Sequence, residues 1–586
     1  MKRIQFNLSE VFQTTYATIA RFPAAVGSTL LLTVLTIYHI ELDAEKTDEA
    51  LQRLLFTTFI GLPWLTGIHL FQEKYIRSSA QRLALWLVAL MFLFFVYRFI
   101  APELDLSQMR RSVRFLCVFL IAHLGVAIVW HFRTGSILDF WEYNKNILIR
   151  WFIATFYTLV LYLGLNMAML AVDQLFNVDV RWQFYTYIGI VLAFFFHPVY
   201  FLSGFPREDQ LSAPRLDYTK ALRTLVFYIL IPLTALYFVI LYAYGIKIAI
   251  SWTLPRGWVS SLVLGFSGAG LLTYLFNYGL AEKEQNKLST GFRKYFFYVL
   301  APLVVLLFVA IGRRLDDYGF TPARYFVLLT GIWLLLSSLY FIFSKTDNIK
   351  FIPTSLAIFL VVGTMSPWDA FEVSSASQYR RLTTFLGDKG MMEEGKLGKS
   401  MSGLDELDKW SVRTMVETIH QNGDGDVLLD LVKDTGTIAE PESDEFLNTF
   451  FVATGLEQGL ESPEQGEMIY LSSGETGRIP VTGYDWLFNF YLNFNGSDDD
   501  LSLSEKDGGI LIIGPPVSDT ISLQEFLLQL DKKQQLEGSD RRIDQAFEFR
   551  TAGYHYKIYF KHLNYHRSPS KLRVDYIDGV LLAAKK

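Results

Sequence analysis

Residues 295–312 read YFFYVLAPLVVLLFVAIG, a run of eighteen residues without a charge. At about 1.5 Å per residue, a helix of this length crosses most of the roughly 30 Å hydrocarbon core of a bilayer. Comparable apolar runs recur before Pro367, and none follows Asp369. The first part of the 586-residue chain is therefore predicted to be an all-α bundle that spans a membrane.

Eleven runs are long enough to be spanning helices. They lie at 22–40, 54–71, 82–101, 112–131, 148–172, 185–204, 222–244, 258–280, 293–312, 323–344 and 350–367. The spans form one predicted domain, 22–367. Before them, apolar residues between Leu8 and Ile19 share one helical stripe, which indicates that 1–21 is an amphipathic helix lying on the membrane surface. A short soluble cap on the bundle is the alternative.

The remaining residues, 368–586, are predicted to form a soluble, acidic α+β domain with an antiparallel sheet. Helical spacing occurs at 377–386, 404–420, 443–453 and 523–532. Strand-like alternation occurs at 468–472, 486–494, 509–513, 546–550, 554–563 and 572–583. From Asp369 onward there are 22 Lys and Arg against 37 Asp and Glu, and this negative charge argues against nucleic acid as a partner.

Charges in the short loops predict the orientation of the bundle. About 19 Lys and Arg lie on the side of the N-terminus and about 11 on the other side, which favours a cytoplasmic N-terminus. Two clusters on the outer side weaken this bias, namely Arg110 with Arg111 and Arg114, and Arg313 with Arg314. With eleven spans the C-terminal domain is periplasmic, and one miscounted span reverses that conclusion.

The second half of the bundle contains an internal echo at an offset of 70 residues. Arg223, Tyr228 and Pro232 recur as Arg293, Tyr298 and Pro302, with matching apolar residues between them. A parallel duplication of 222–280 and 292–344 explains this coincidence. Chance among apolar letters is the alternative.

The candidate functional residues of the membrane region are His123, His197, Pro232, Pro302, Arg223 and Arg293. A histidine within a span is costly to bury, so it either relays protons or bonds to a neighbouring helix. A proline within a span kinks the helix, either as a static bend or as a hinge of a moving helix. No span carries an acidic residue near its middle, which counts against a pump that uses buried carboxylates.

The sequence shows no motif for a cofactor, a metal or a catalytic centre. Asn422, Asp424 and Asp426 have the spacing that begins a calcium loop, but Val427 and Lys433 stand where that loop needs glycine and glutamate. The single cysteine, Cys117, excludes a disulfide within the chain. We therefore predict no cofactor and no metal site.

Several stretches resemble a family of bacterial multi-spanning membrane proteins, described as a domain of unknown function and common in Bacteroidetes. The stretches that carry the resemblance are Arg21–Pro23, His197–Pro206, Leu230–Tyr244, Pro255–Trp258, Tyr318–Tyr325 and Gln378–Leu382. The resemblance implies a location in the bacterial cytoplasmic, or inner, membrane. It implies no activity and carries over no catalytic or ligand residue.

Three classes of function remain. The first is a membrane scaffold or sensor whose C-terminal domain binds a protein of the cell envelope. The second is a transporter or lipid-handling protein that uses the kinked spans. A membrane enzyme is the weakest of the three, because the sequence shows no catalytic constellation. The lipid bilayer is an expected partner in every case.

Overall fold

The computed structural model describes most of the bundle and part of the C-terminal region. The described residues are 8–42, 49–101, 109–132, 135–176, 178, 180–206, 220–251, 258–284, 286–344, 346–433, 436, 438–441, 443, 445–456, 467–472, 481–493, 497–498, 501–504, 510–513, 517, 519–522, 527–528, 547–551, 553–568 and 571–586. Every structural statement below concerns these residues.

Helices account for nearly all of the described residues before 389. They are α1 (Leu8–Arg21), α2 (Pro23–Glu41), α3 (Glu49–Tyr75), α4 (Ser79–Phe95), α5 (Met109–Val129), α6 (Ile137–Phe176), α7 (Gln183–Val191), α8 (His197–Ser203), α9 (Lys220–Thr224), α10 (Ile231–Ser251), α11 (Trp258–Glu284), α12 (Lys287–Tyr318), α13 (Pro322–Phe343), α14 (Phe351–Met365) and α15 (Ala370–Asp388). Three π-helical turns extend or join them, at Val96–Ile100, Leu192–Phe196 and Leu225–Leu230.

Ten helices of the described residues, counting those that a π-helical turn joins, are long and apolar enough to cross a bilayer. An eleventh crossing exists if α14 and α15 count as one span bent by 44°. Helix α14 ends at Met365, just before Ser366 and Pro367, and Asp369 caps the start of α15. The last span therefore covers 351–365 rather than the predicted 350–367. The predicted multi-span helical bundle is confirmed.

The outer surface of the bundle is apolar. Along α6, the side chains of Phe152, Leu163 and Met167 are 57%, 54% and 71% exposed. A continuous exposed surface of such residues is unfavourable in water and favourable in hydrocarbon. The lipid bilayer is therefore the environment of these helices.

Two aromatic-rich cores hold the helices together. The first joins α2, α3, α5, α6 and α8, and its buried members include Phe22, Leu70, Trp130, Tyr143 and Leu202. The second joins α11, α12 and α13, and its buried members include Tyr274, Phe297, Leu300, Trp333 and Phe341. Both cores reach the loops at the same end of the bundle, the first through Trp130 and Phe205 and the second through Phe341.

The two ends of the bundle differ in their loop contacts. At one end, called here the Arg21 face, Arg21 pairs with Glu73, and Lys350 donates to the carbonyl of His131. At the other end, called the Arg110 face, the start of α5 meets the end of α14 and the start of α15. Each face thus brings together the helix ends that an alternating up-and-down topology requires.

The C-terminal region combines short helices with antiparallel strands. The helices are α16 (Glu406–Gln421), α17 (Asp426–Leu429) and α18 (Phe446–Thr454). The strands are β1 (Met392–Glu393), β2 (Lys396–Leu397), β3 (Glu467–Ser472), β4 (Trp486–Asn493), β5 (Ser497–Asp498), β6 (Leu501–Ser504), β7 (Ile510–Ile513), β8 (Asp519–Ser522), β9 (Phe547–Arg550), β10 (Tyr554–Ser568) and β11 (Lys571–Lys585).

The main sheet is built on the long hairpin of β10 and β11. Its strand order is β3-β10-β11-β4, with β9 also paired to β10, and all pairs are antiparallel. Strands β5 to β8 form a separate antiparallel sheet in sequence order, and β1 pairs with β2. The predicted antiparallel sheet is confirmed. The predicted helix at 523–532 lies mostly outside the described residues.

The chain forms two compact units. One comprises 1–398 and 415–447, so α15 packs in the same unit as the spanning helices. The other comprises 399–414 and 448–586 and contains the two larger sheets.

Candidate functional site

The Arg21 face contains a polar cluster centred on Arg293, near the start of α12. The guanidinium donates from Nη1 to Glu282 Oε2 at 2.8 Å and from Nη2 to Asp347 Oδ2 at 2.9 Å. Its carbon lies 4.1 Å from the ring centroid of Tyr278 on α11. The cluster therefore ties α11, α12 and the loop between α13 and α14 through one side chain.

Burial makes these partners necessary. The Arg293 side chain is only 16% exposed, whereas Glu282 and Asp347 are 50% and 44% exposed. A cation held away from water is costly unless carboxylates and ring faces replace its hydration. The two carboxylates thus neutralise Arg293 and fix its position, while their own second oxygens can face the solvent.

A cleft of about 760 Å³ opens beside this cluster. Lys287, Thr290 and Lys294 on the first turns of α12 are exposed at its rim, and Arg293 and Asp347 line it as well. Its walls are aromatic: Tyr274, Phe297 and Phe341 are buried, and Tyr298 is exposed. The cleft is therefore polar and net basic at the loop end and apolar towards the middle of the bundle.

A buried polar pair supports the turn that carries this rim. Asn277 Nδ2 donates to the carbonyl of Ser289, and the Ser289 hydroxyl donates to Asn277 Oδ1 at 2.5 Å. Both side chains are fully buried. Because the pair satisfies its own polar atoms, it fixes the connection from α11 to α12 at low cost.

His123 does not lie in this cluster. It is exposed on α5, where its Nδ1 lies 2.8 Å from the carbonyl of Phe119 in its own helix. Its ring also contacts the Phe119 ring at 4.3 Å. His123 therefore shows neither of the expected contacts, since its hydrogen bond stays within one turn of α5.

His197 does connect two helices. Its Nε2 lies 3.2 Å from the hydroxyl of Thr155, so α8 is bonded to α6. His197 precedes Pro198, and both directly follow the π-helical turn at Leu192–Phe196. The interaction is the interhelical bond that the sequence predicted as one alternative.

The echo residues Arg223 and Arg293 have different surroundings. Arg223 is exposed, with its guanidinium carbon 6.0 Å from the Phe227 ring. Pro232 follows a π-helical turn, whereas Pro302 lies within the uninterrupted helix α12. The local structures of the two copies thus differ at the residues that suggested the duplication.

The Arg110 face contains contacts that the sequence did not predict. Arg114 donates to Asp369 Oδ2 at 2.7 Å and to the carbonyl of Thr364 at 2.9 Å. Arg110 pairs with Glu372 at 3.2 Å and with Asp424 at 2.8 Å. The only signal in the sequence was an arginine cluster on the side where loops should be poor in cations.

The loop that resembles the start of a calcium site takes part in these contacts. Asp424 binds Arg110, and the Asn422 amide donates to the hydroxyls of Ser374 and Ser375 on α15. Gly423 has a φ of +81°, which suits the tight turn between them. The motif therefore has a structural partner within the chain.

Two of the stretches that resemble the family, Tyr318–Tyr325 and Gln378–Leu382, also meet on the Arg110 face. The Gln378 amide donates to the carbonyls of Tyr318 and Phe320, and Arg381 donates to the carbonyl of Asp317. Because the carbonyls of Asp317 and Tyr318 belong to the last turn of α12, α15 satisfies groups that a helix end leaves unpaired.

On the Arg21 face, Arg21 joins two more of the stretches that resemble the family, Arg21–Pro23 and His197–Pro206. It donates to the carbonyls of Phe205 and Pro206 at 2.9 and 3.0 Å, and it pairs with Glu73 at 3.2 Å. The Phe22 ring packs edge-on against Phe205. The start of α2 and the end of α8 are thereby held together.

The side chain of His131, in the turn between α5 and α6 on the Arg21 face, is uncharged. Burial lowers the pKa of His131 to about 4, and nearby Lys74 and Lys350 lower it further. Burial also lowers the pKa of Lys350, whose ammonium donates to the carbonyls of His131 and Gly135. His131 is therefore neutral at neutral pH, so this turn does not provide a titrating group there.

Comparison with known proteins places most of this architecture in a family. The family described as "Domain of unknown function (DUF4153)" matches residues 26–387, which cover the spanning helices from the first turn of α2 onward and most of α15. The uncharacterized protein PM1469 of Pasteurella multocida (strain Pm70) is 26% identical over 222 residues, which are 37% of each chain. The alignment thus spans about a third of that relative. No solved structure matches the chain.

Proposed function

The chain belongs to the DUF4153 family, and on this premise we propose that it is a membrane scaffold or sensor. In this proposal its C-terminal domain, 368–586, binds a protein partner in the bacterial cell envelope. The observation that carries the proposal is the ion pair of Arg114 with Asp369, because it joins a spanning helix to the first residues after the spans.

The contacts around α15 attach this helix firmly to the spanning helices. The carboxylate of Asp369 is nearly buried and also accepts hydrogen bonds from the amides of Phe371 and Glu372, which begin α15. Further along the same helix, Arg381 donates to the carbonyl of Asp317 in the last turn of α12. These contacts fix α15 to the spanning helices, so a partner that binds α15 is held next to the spans.

The same contacts support the proposed orientation, with a cytoplasmic N-terminus and a periplasmic C-terminal domain. Arg110 and Arg114 weakened the charge bias, yet both are paired with carboxylates from residues 369–424. Arg313 also lies near a carboxylate, at 3.9 Å from Asp317. These three arginines therefore have carboxylate partners on this side of the bundle, while the count of Lys and Arg in the short loops, about 19 against 11, favours a cytoplasmic N-terminus.

A photo-crosslinking experiment in intact cells tests the scaffold role. A crosslinking amino acid is placed at Val481 or Leu487, which are 48% and 49% exposed in the C-terminal region, and a matched control at Phe152, which faces lipid. We expect the first two positions to yield a discrete adduct with one protein, and Phe152 to yield none. The same diffuse products from all three positions would contradict the proposal.

A transporter or lipid-handling role is the second candidate, and the π-helical turns favour it. Pro198 and Pro232 each lie two residues after the end of such a turn. A π-helical turn leaves weaker backbone hydrogen bonds and often marks a functional bend. The spans that contain Pro198 and Pro232 therefore have a structural basis for bending, whereas α12 contains Pro302 without a neighbouring π-helical turn.

A further inference from the structure

We propose that the cleft around Arg293 binds the phosphate headgroup of an anionic membrane phospholipid. Lys287 and Lys294 contact the phosphate in this proposal, and the aromatic wall contacts the acyl chains. The inference concerns a binding site on the Arg21 face and is independent of the proposed scaffold role.

The charge balance at the rim favours an anion. The described lining residues include three basic side chains, Lys287, Arg293 and Lys294, and two acidic ones, Glu282 and Asp347. Both carboxylates already bind the guanidinium of Arg293. The two lysines are exposed on the same side of α12, seven residues or about two turns apart, roughly 10.5 Å along the helix axis, so their long side chains can converge on one phosphate group at the rim.

The depth of the cleft favours a lipid over a soluble phosphate. Below the rim its walls are Tyr274, Phe297, Tyr298 and Phe341, which belong to helices α11, α12 and α13 of the membrane region. Tyr298 is 52% exposed, so this side of α12 is open to the hydrocarbon. A basic rim over an aromatic wall within one cleft matches the headgroup and chains of a phospholipid.

The cleft is also held in a fixed shape before any ligand binds. The Phe297 ring stacks on Phe341 at 4.4 Å, and the buried Asn277 and Ser289 fix the turn below the lysines. Arg293 holds Asp347 from the opposite loop. A site that is already ordered loses little entropy on binding, which favours specific lipid binding over a transient annular contact.

Native mass spectrometry of the full-length protein in mild detergent tests the proposal. Phosphatidylglycerol, phosphatidylethanolamine and inorganic phosphate are the three probes. We expect phosphatidylglycerol to bind on the order of tenfold more tightly than phosphatidylethanolamine. The Lys287→Gln/Lys294→Gln variant should lose most of this preference, and Lys287→Arg/Lys294→Arg should retain it.

The matched control removes two cations from the opposite end of the same helix, as Arg313→Gln/Arg314→Gln. We expect it to bind phosphatidylglycerol as the unmodified protein does. Because Lys287 and Lys294 are exposed, their variants should keep the unmodified melting temperature in lipid-free detergent. Equal affinity for the two lipids, equal loss in the control variant, or displacement of lipid by millimolar inorganic phosphate would each overturn the proposal.

Discussion

At the scale of single residues, Asp369 combines a helix cap with an ion pair. Its Oδ1 accepts the amides of Phe371 and Glu372, and its Oδ2 accepts the guanidinium of Arg114. With only 1% of its surface exposed, this carboxylate depends on those donors for the hydration it has lost. Removal of Arg114 leaves a buried anion with two of its three donors and with no donor at Oδ2.

We therefore expect Arg114→Gln to destabilise the protein by about 3 kcal/mol, the low end of the roughly 3–5 kcal/mol for a buried pair that loses one partner, because Arg114 itself is 27% exposed. Asp369→Asn should also destabilise it, because an amide is a weaker acceptor for a guanidinium. The double variant should lose clearly less than the sum of the two single variants. Unfolding of the purified protein in detergent, followed by temperature, measures all three.

Arg313→Gln serves as the control for this cycle. Its partner Asp317 is 3.9 Å away, and both side chains are more than half exposed, so the change should stay within about 0.5 kcal/mol. Strictly additive effects of Arg114→Gln and Asp369→Asn would show that their pair contributes nothing to stability.

At the scale of elements, the same proline spacing occurs in two different spans. The π-helical turn Leu192–Phe196 ends two residues before Pro198, and the turn Leu225–Leu230 ends two residues before Pro232. Proline lacks an amide hydrogen and clashes with the carbonyl four residues earlier. A wider turn at that carbonyl relieves the clash, so proline and π-helical turn form one unit in each span.

This unit leads to a prediction for Pro232→Ala. Alanine restores the missing amide hydrogen and removes the clash, so the turn at 225–230 should close into an α-helix. Its amides should then exchange with deuterium roughly tenfold more slowly, since a tenfold change corresponds to about 1.4 kcal/mol of local stability. Hydrogen exchange followed by mass spectrometry measures this rate.

Pro302→Ala is the matched control for this prediction. Pro302 lies in α12 with no π-helical turn next to it, so the amides of 225–230 should exchange as before. Slower exchange after Pro232→Ala alone supports the bending spans of a transporter or lipid-handling protein. The same exchange rates in both variants would argue against a hinge at Pro232.

Spanning helices were predictable because hydrocarbon demands long uncharged runs, as in 295–312. The strands were less predictable from the sequence than the spanning helices. The alternating pattern predicts a strand only as far as Leu563, whereas the pairing of β10 with β3 and β11 extends this strand to Ser568. Polar residues such as Asn564 interrupt the alternation, because the end of the strand is held by pairing with its neighbours and not by a local pattern.

The candidate site was predictable only in part. The echo of Arg223 at an offset of 70 residues singles out Arg293 in the sequence. Its partners Glu282, in the last turn of α11, and Asp347, in the loop between α13 and α14, lie 11 and 54 residues away. Helical periodicity says which residues share a face of one helix, but it does not say which loops meet at the end of a bundle.

At the scale of the whole molecule, the loop contacts divide the basic residues into two kinds. On the Arg110 face, Arg110 and Arg114 are paired with carboxylates from the chain after the spans. On the Arg21 face, Lys287 and Lys294 are exposed at the rim of a cleft. The exposed lysines of the Arg21 face agree with the proposed cytoplasmic side, and the paired Arg110 and Arg114 account for two of the cations on the Arg110 face.

Single-cysteine labelling tests this orientation. Cys117 is buried in α5, and a Cys117→Ser background leaves any introduced cysteine as the sole thiol. Ser78→Cys reports the Arg21 face, and Met109→Cys reports the Arg110 face, since both positions are exposed at helix ends. In intact cells whose outer membrane admits the reagent, a maleimide that does not cross the inner membrane should label Met109→Cys and spare Ser78→Cys.

Lysis of the cells should make both positions reactive, which controls for local accessibility. The expected pattern follows from the excess of Lys and Arg in the short loops on the side of the N-terminus, about 19 against 11. The reverse pattern would place α15 and the chain that follows it on the cytoplasmic side. A partner in the envelope would then be out of reach, and the scaffold would serve a cytoplasmic protein instead.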